Sequence, residues 1–280
     1  MAPALLLLLL VGLYPLVATF ITSLTNAQDG IGDPEFVGLK NYTTLFGQKD
    51  FWAAVWNTVV FTLGSVTIEF IFGLAIALVI HSQFKGRGLV RAAILIPWAL
   101  PTVVSAKIWS YMFVDTYGVV NDLLVTKFHL LDTKPAWLAE PGLAMISVIA
   151  VDVWKTTPFV ALLLLAGLQL IPGGLYQAAD VDGANKVQQF FKITLPLLKP
   201  AILVALIFRT LDALRVFDVI WVMTGGAQNT ESMATYNFQY LISFGKMGYG
   251  SAISVAIFLL IALFVIAYVV ALRPGSEDVR

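Results

Sequence analysis

Apolar residues fall into six runs along the chain, at about 5–24, 55–80, 92–114, 143–170, 201–224 and 251–272, separated by polar linkers that carry turn residues. Each run is roughly 20 residues or longer, enough at about 1.5 Å per residue to cross ~30 Å of hydrocarbon as a helix. The pattern predicts an all-α polytopic membrane protein with six transmembrane helices, a single transmembrane domain over 1–280. The linkers are polar because backbone that leaves a helix must return to water. The first run has no positively charged leader, and no A-x-A pattern follows it, so it reads as a span rather than a secretion signal. It opens without a cytoplasmic anchor, which leaves a longer natural chain open.

One linker differs from the rest. The loop 171–200 carries the mixed-charge, helix-compatible stretch YQAADVDGANKVQQFFKITLP, with Pro172-Gly173-Gly174 before it and Pro196 and Pro200 as breakers at its end. Its pattern predicts a short helix over 175–180, a break at Gly183, and a second helix over 185–193 that Leu195-Pro196 ends. Val187, Phe190, Phe191 and Ile193 form the apolar face of the second helix, and Ala178 and Ala179 make the first one slim enough for close approach by another protein. Such a stretch between two spans lies in water or against a partner.

Composition sharpens the class. Hydrophobic residues make up 59% of the chain and charged residues 12%, with a mean hydropathy of +0.86; a soluble domain carries about 25% charged residues. A formal charge of zero gives no reason to expect nucleic acid as a partner. The absence of cysteine excludes disulfides and thiolate chemistry, and two distant histidines, His81 and His129, suggest no metal site. No catalytic residue set emerges.

Loop charge sets the orientation. The linkers 81–91 and 171–200 with the tail from Arg273 hold eight basic and four acidic residues, a net +4. The linkers 25–54, 115–142 and 225–250 hold five basic and nine acidic residues, a net −4. By the positive-inside rule the first set, and both termini, face the cytoplasm. In the opposite loops, 117–124 reads as a short helix lying on the membrane. Trp52, Trp56, Trp109, Tyr111 and Trp137 near the membrane edges read as interfacial anchors, or as flat faces for a sugar ring.

Eight ionisable residues fall inside the spans: Glu69, Lys107, Asp152, Lys155, Arg209, Asp212, Arg215 and Asp218. Each would cost about 2.5–3.5 kcal/mol at a helix centre facing lipid, so they face protein or a water-filled path. Arg209, Asp212, Arg215 and Asp218 alternate in sign every three residues, which fits a self-neutralising ladder and equally a polar lining. Asp152 and Lys155 precede Thr156, Thr157 and Pro158, where a proline bend beside polar groups is either structural or a place for a solute. The candidate path residues are Asp152, Lys155, Thr156, Phe159, Arg209, Asp212, Arg215 and Asp218, with Glu69 and Lys107 as packing partners first.

At Gln177-Ala178-Ala179, Gly183 and Ile193-Thr194-Leu195-Pro196 the sequence resembles the membrane subunits of binding-protein-dependent ABC importers, whose signature is E-A-A-x-x-x-G followed by I-x-L-P. Phe36-Val37-Gly38-Leu39-Lys40-Asn41-Tyr42, Thr224-Gly225-Gly226 and Gly248-Tyr249-Gly250-Ser251-Ala252 resemble the carbohydrate branch that includes maltose, trehalose and glycerol-phosphate permeases. Trp154-Lys155-Thr156-Thr157-Pro158 with the run from Arg209 is most similar to the trehalose/maltose type. The resemblance implies a permease subunit whose cytoplasmic coupling helix, between spans four and five, docks on an ATPase through Gln177, Ala178, Ala179, Asp182, Gly183 and Ala184. Gln177 stands where the family has glutamate. The implied partners are a second homologous permease, two ATP-binding subunits, an extracellular solute-binding protein, the sugar and membrane lipid, in a bacterial or archaeal plasma membrane. ATP and magnesium would sit on the partner ATPase, because this chain has no G-x-x-x-x-G-K-[ST] loop and no cofactor of its own. The alternative is a proton-coupled secondary transporter, in which Glu69 or the Asp212/Asp218 pair titrates.

Overall fold

The computed structural model describes residues 9–271, and within them every regular element is helical. In chain order these are α1 (Tyr14–Ser23), α2 (Lys40–Gly47), α3 (Lys49–His81), α4 (Arg87–Ala99), α5 (Thr102–Met112), α6 (Leu143–Gln169), α7 (Gly173–Val181), α8 (Lys186–Ala213), α9 (Asp218–Met223), α10 (Met233–Phe238) and α11 (Met247–Ala271). Four of them (α3, α6, α8 and α11) are long and apolar enough to cross a membrane, and α4 with α5 makes a fifth if that bent pair is one span. Residues 5–8 of the expected first span, and the basic tail from Arg273, lie outside the described residues. The short helix expected in the loop 117–124 is present as Val119–Asn121, running into a wide turn at Asp122–Lys127.

α3 and α6 form the most extensive pairing, and α8, α4 and α9 pack onto α6. Their contact explains two glycines. A Cβ on Gly73 would lie 2.7 Å from Val160 Cγ1, and one on Gly167 would lie 2.4 Å from the Ala201 Cβ. The helices approach closely there because no side chain intervenes. Around these contacts Ala77, Val160, Leu164, Leu168 and Leu198 are buried, making one apolar layer toward the end of α3 at His81. A second layer, with Phe61, Val148, Val151 and Ile220, fills the other half.

Three expectations are corrected. The span 92–114 is not one helix: α4 and α5 meet at 90°. Pro101 explains the corner, since it drives Leu100 into an extended conformation (ψ 140°) and lacks an N–H to continue α4. The span 201–224 is displaced. Its helix starts at Lys186 and stops at Ala213, and α9 resumes only at Asp218. The break is held by Ser232, whose hydroxyl donates to the Val216 carbonyl at 2.7 Å and so satisfies a buried acceptor that the helix has released. Finally, Pro196 does not end the second loop helix. The backbone widens into a π-turn at Phe190–Thr194, directly before the proline, and α8 runs on through Pro196 and Pro200. The wider turn relieves the clash between a proline ring and the carbonyl four residues earlier.

The aromatic residues also sort differently from expectation. Trp109 packs edge-on against Trp154 with ring centroids 5.5 Å apart, and Trp137 donates its indole N–H to Asn121 Oδ1 at 2.8 Å, so both are bound into the protein. Trp52, Trp56 and Tyr111 are exposed. Gly167→Leu, which forces a branched side chain into the α6–α8 contact, is expected to destabilise the protein by about 1–3 kcal/mol. A lowered thermal midpoint in detergent, set against an unchanged one for Gly12→Leu in open space, checks this.

Candidate functional site

Among the described residues Arg209 is the largest fully buried side chain, with 2% of its surface exposed, and it lies near the Ala213 end of α8. A buried guanidinium there has five donors and needs acceptors from the side chains packed around it. Glu69 of α3 supplies two of them. Its Oε2 accepts from Nε and its Oε1 from Nη2, the latter at 2.9 Å, giving the parallel fork that arginine and carboxylate prefer. Asp152 of α6 takes a second bond from Nη2, and Asp212, one turn along α8, accepts from Nη1 at 3.1 Å. The Thr156 hydroxyl lies 2.5 Å from Glu69 Oε1 and 2.6 Å from the Asp152 carbonyl oxygen; with one proton it donates to one of them at a time. One cation thus ties three helices through three carboxylates.

The cluster forms one wall of a cavity of about 270 Å³. Asp152, Lys155, Thr156, Arg209, Asp212, Arg215 and Asp218 all line it, so seven of the eight expected path residues converge on one space. Phe159 does not reach it. Instead it stacks behind Trp98, with ring centroids 5.9 Å apart and planes 18° apart, and Trp98 presents to the cavity. Phe217 also lines the cavity and stacks on Trp221 at 5.8 Å. The cavity therefore carries charged groups of both signs together with two backed aromatic rings. A larger cavity of about 650 Å³ on the outer side of α3 and α6 is lined almost wholly by apolar residues such as Ile68, Phe72 and Pro158. With no charged side chain among its lining residues, it has nothing to orient a polar solute.

The four-residue ladder does not form. Only Arg209 and Asp212 are paired within it. Because α8 stops at Ala213, Arg215 turns away and donates to the Leu211 carbonyl at 3.3 Å, and Asp218 begins α9. Glu69, read from the sequence as a packing partner first, is the carboxylate that binds Arg209 in a fork. A charge tally flags it as an acid without a partner in its own span, but does not say which cation meets it. A completely buried acid with no partner in its own span requires a cation elsewhere, and Arg209 was over-supplied only if its neighbours on α8 formed the ladder. Lys107 stays outside the cluster, exposed, with its ammonium 5.4 Å from the Tyr111 ring.

The loop between α6 and α8 folds by local rules. α7 ends in a Schellman turn: Gly183 sits at φ +77°, Ala184 N–H donates to the Ala179 carbonyl at 2.9 Å, and Gly183 N–H to that of Asp180 at 3.2 Å. Asn185 then caps α8, exchanging bonds of 2.8 and 2.9 Å with Gln188. Asp180 staples the two helices, accepting from Lys186 Nζ at 2.9 Å and from Gln189 Nε2 at 2.5 Å. Gln177, Ala178, Asp182 and Gly183 are exposed, Ala179 and Ala184 half-buried, and the Val181 side chain is 88% exposed at the tip.

Two measurements test these arrangements. Arg209→Met leaves Glu69 and Asp152 buried without their cation and is expected to cost about 3–5 kcal/mol, while adding Glu69→Gln and Asp152→Asn recovers much of the loss. Denaturation of the three proteins in detergent checks it. The hydrogen bonds from Lys186 and Gln189 hold the Asp180 carboxyl below its usual value of 3.8. A lowered value means that the staple is fully present above 3.8 and is lost only as pH falls through the depressed value. Spin labels at Ala178 and Val187, both exposed, are expected to keep their separation from pH 7 to about 5 and to drift apart only in stronger acid.

Comparison with known proteins places this geometry. Residues 69–275 match the family model for the binding-protein-dependent transport system inner membrane component. The chain is 46% identical over 269 residues to the trehalose/maltose transport system permease protein MalF of Thermococcus litoralis, covering 95% of this chain and 90% of that one. It is 44% identical to the sulfoquinovosyl glycerol transport system permease protein SmoG of Agrobacterium fabrum, covering 93% and 84%. Its fold matches a chain in the crystal structure of a bacterial alginate ABC transporter in complex with an alginate pentasaccharide-bound periplasmic protein. The TM-score is 0.84 at 23% identity, covering 97% of this chain and 92% of that one. The chain belongs to the family of binding-protein-dependent transport system inner membrane components, the multi-pass, non-catalytic permease subunits of ABC transporters.

Proposed function

We propose that this chain is a permease subunit of an ATP-driven carbohydrate importer, forming half of a path for a di- or oligosaccharide such as trehalose or maltose. The observation that carries the reading is the convergence of Asp152, Lys155, Thr156, Arg209, Asp212, Arg215 and Asp218 on one cavity with Trp98 and Phe217 at its sides. Sugar hydroxyls both donate and accept, so a wall offering carboxylates, cations and a threonine hydroxyl can follow any ring orientation. The aromatic faces suit the apolar C–H faces of pyranose rings. The kinship to a trehalose/maltose permease and to a sulfoquinovosyl glycerol permease supports a glycosidic substrate.

In this reading α1 and the bent pair α4–α5 complete six spans of one domain over 1–280, with both termini and α7 on the cytoplasmic side of a bacterial or archaeal plasma membrane. α7 docks in an ATP-binding subunit through Gln177, Ala178, Ala179, Asp182, Gly183 and Ala184. Two such subunits, carrying ATP and magnesium, serve this chain and a second homologous permease, and an extracellular solute-binding protein delivers the sugar. The exposed Val181 and the half-buried Ala179 favour a fitted partner surface over open water. Gln177 keeps two donors and an acceptor in place of the family's charge.

The assembled complex in proteoliposomes tests this. ATP-driven uptake of labelled trehalose is expected to vanish in Ala179→Glu, and in Gly183→Val, where a β-branched residue cannot adopt φ +77° without strain. Trp98→Ala is expected to raise the half-saturating trehalose concentration about tenfold. Uptake that survives both loop changes would overturn the docking assignment, and uptake driven by a proton gradient without ATP would favour a secondary transporter.

A further inference from the structure

The opposite end of the bundle holds a second polar cavity, of about 480 Å³, between the segment 25–48 and the start of α11. α3 begins at Lys49 beside it and ends at His81 near α7, and its 33 residues span about 50 Å, so the cavity lies a full helix length from the coupling stretch. Its walls are built rigidly. Asn41 Nδ2 donates to the Ser23 and Thr25 carbonyls at 2.8 Å each, pinning α2 to the end of α1. Asp29 N–H donates to the Gly245 carbonyl and Gly248 N–H to that of Ala27, both at 2.8 Å, strapping the loop to the turn before α11 and to its first residues. A Cβ on Gly248 would lie 2.1 Å from the Thr25 carbonyl oxygen, so this approach requires glycine. Tyr240, in the π-turn Gln239–Ser243, and Tyr249 meet edge to face at 4.9 Å, with the Lys246 ammonium 5.8 Å from the Tyr240 ring.

We propose that this cavity is a second saccharide-binding site, separate from the Arg209 cavity. Gln28, Glu35, Lys40, Gln48 and Lys246 line it and are exposed. They offer ammonium donors, a carboxylate acceptor and amides that do both, which is the mixture a polyhydroxylated ligand uses. The half-buried tyrosines add flat amphipathic surface. The volume lies within the range of small-molecule sites, which are concave and largely pre-formed, about 300–1,000 Å³. π-turns recur at functional sites in helices, and here one carries Tyr240. The site rests on the proposed function only for the choice of probe.

A diazirine derivative of trehalose, photolysed with the full chain in nanodiscs and mapped by peptide mass spectrometry, tests it. Labelling is expected within 26–48 and 240–249, removed by excess trehalose. Gln48→Ala with Lys246→Ala, both at exposed positions, is expected to lower that labelling about tenfold without changing labelling near Trp98 and Arg209. No labelling of the two segments, labelling that excess trehalose does not displace, or labelling that the double variant does not reduce would overturn the proposal. Labelling of these segments without any around Arg209 would leave this site standing and count against the proposed path instead.

Discussion

A single arginine decides how the helices of this protein can sit. An unpaired guanidinium in hydrocarbon is unaffordable, and Arg209 escapes that cost only where Glu69 of α3 and Asp152 of α6 both reach it. Apolar contacts among α3, α6 and α8 supply most of the attraction but little register, because one layer of leucine and valine resembles the next. The charge cluster has one geometry in which every group is paired. It therefore acts as a register pin, and the cavity is what the pinned helices leave open on the side of Asp212.

Much of this was legible from residue order. Span positions for α3, α6 and α11 follow from apolar run length alone, and the Schellman turn at Gly183 follows from a glycine after an alanine-rich turn. The polar residues of the cavity were recognisable because charges in apolar runs must face protein or water. The pairing was not legible. Local spacing linked Arg209 to Arg215 and Asp218 by helical period, but the partner that matters, Glu69, lies 140 residues away. Periodicity describes one helix at a time, and only packing brings α3 to α8.

Two of the misread elements trace to proline, the corner of the span 92–114 and the helix through Pro196. Leu100-Pro101 makes a right-angled corner, whereas Pro158 and Pro196 remain inside continuous helices. The difference lies in what surrounds each ring. At Pro196 a π-turn widens the preceding backbone, and at Pro158 the helix is embedded in a packed layer. At Pro101 the chain emerges among exposed residues and is free to turn. Proline marks a place where hydrogen bonding changes, and neighbours decide whether the helix survives.

The continuity of α8 has a mechanical consequence. The helix runs 28 residues without interruption from Lys186, beside α7, to Ala213, past the arginine pin. Lys186 and Arg209 are thus the two ends of one stiff rod about 35 Å long. A tilt of about 5° at one end displaces the other by about 3 Å, roughly a hydrogen-bond length. Had Pro196 broken the helix, a push on the loop would dissipate in a hinge. By bridging the proline with a wider turn, the chain keeps the loop and the buried charges on opposite ends of one continuous helix.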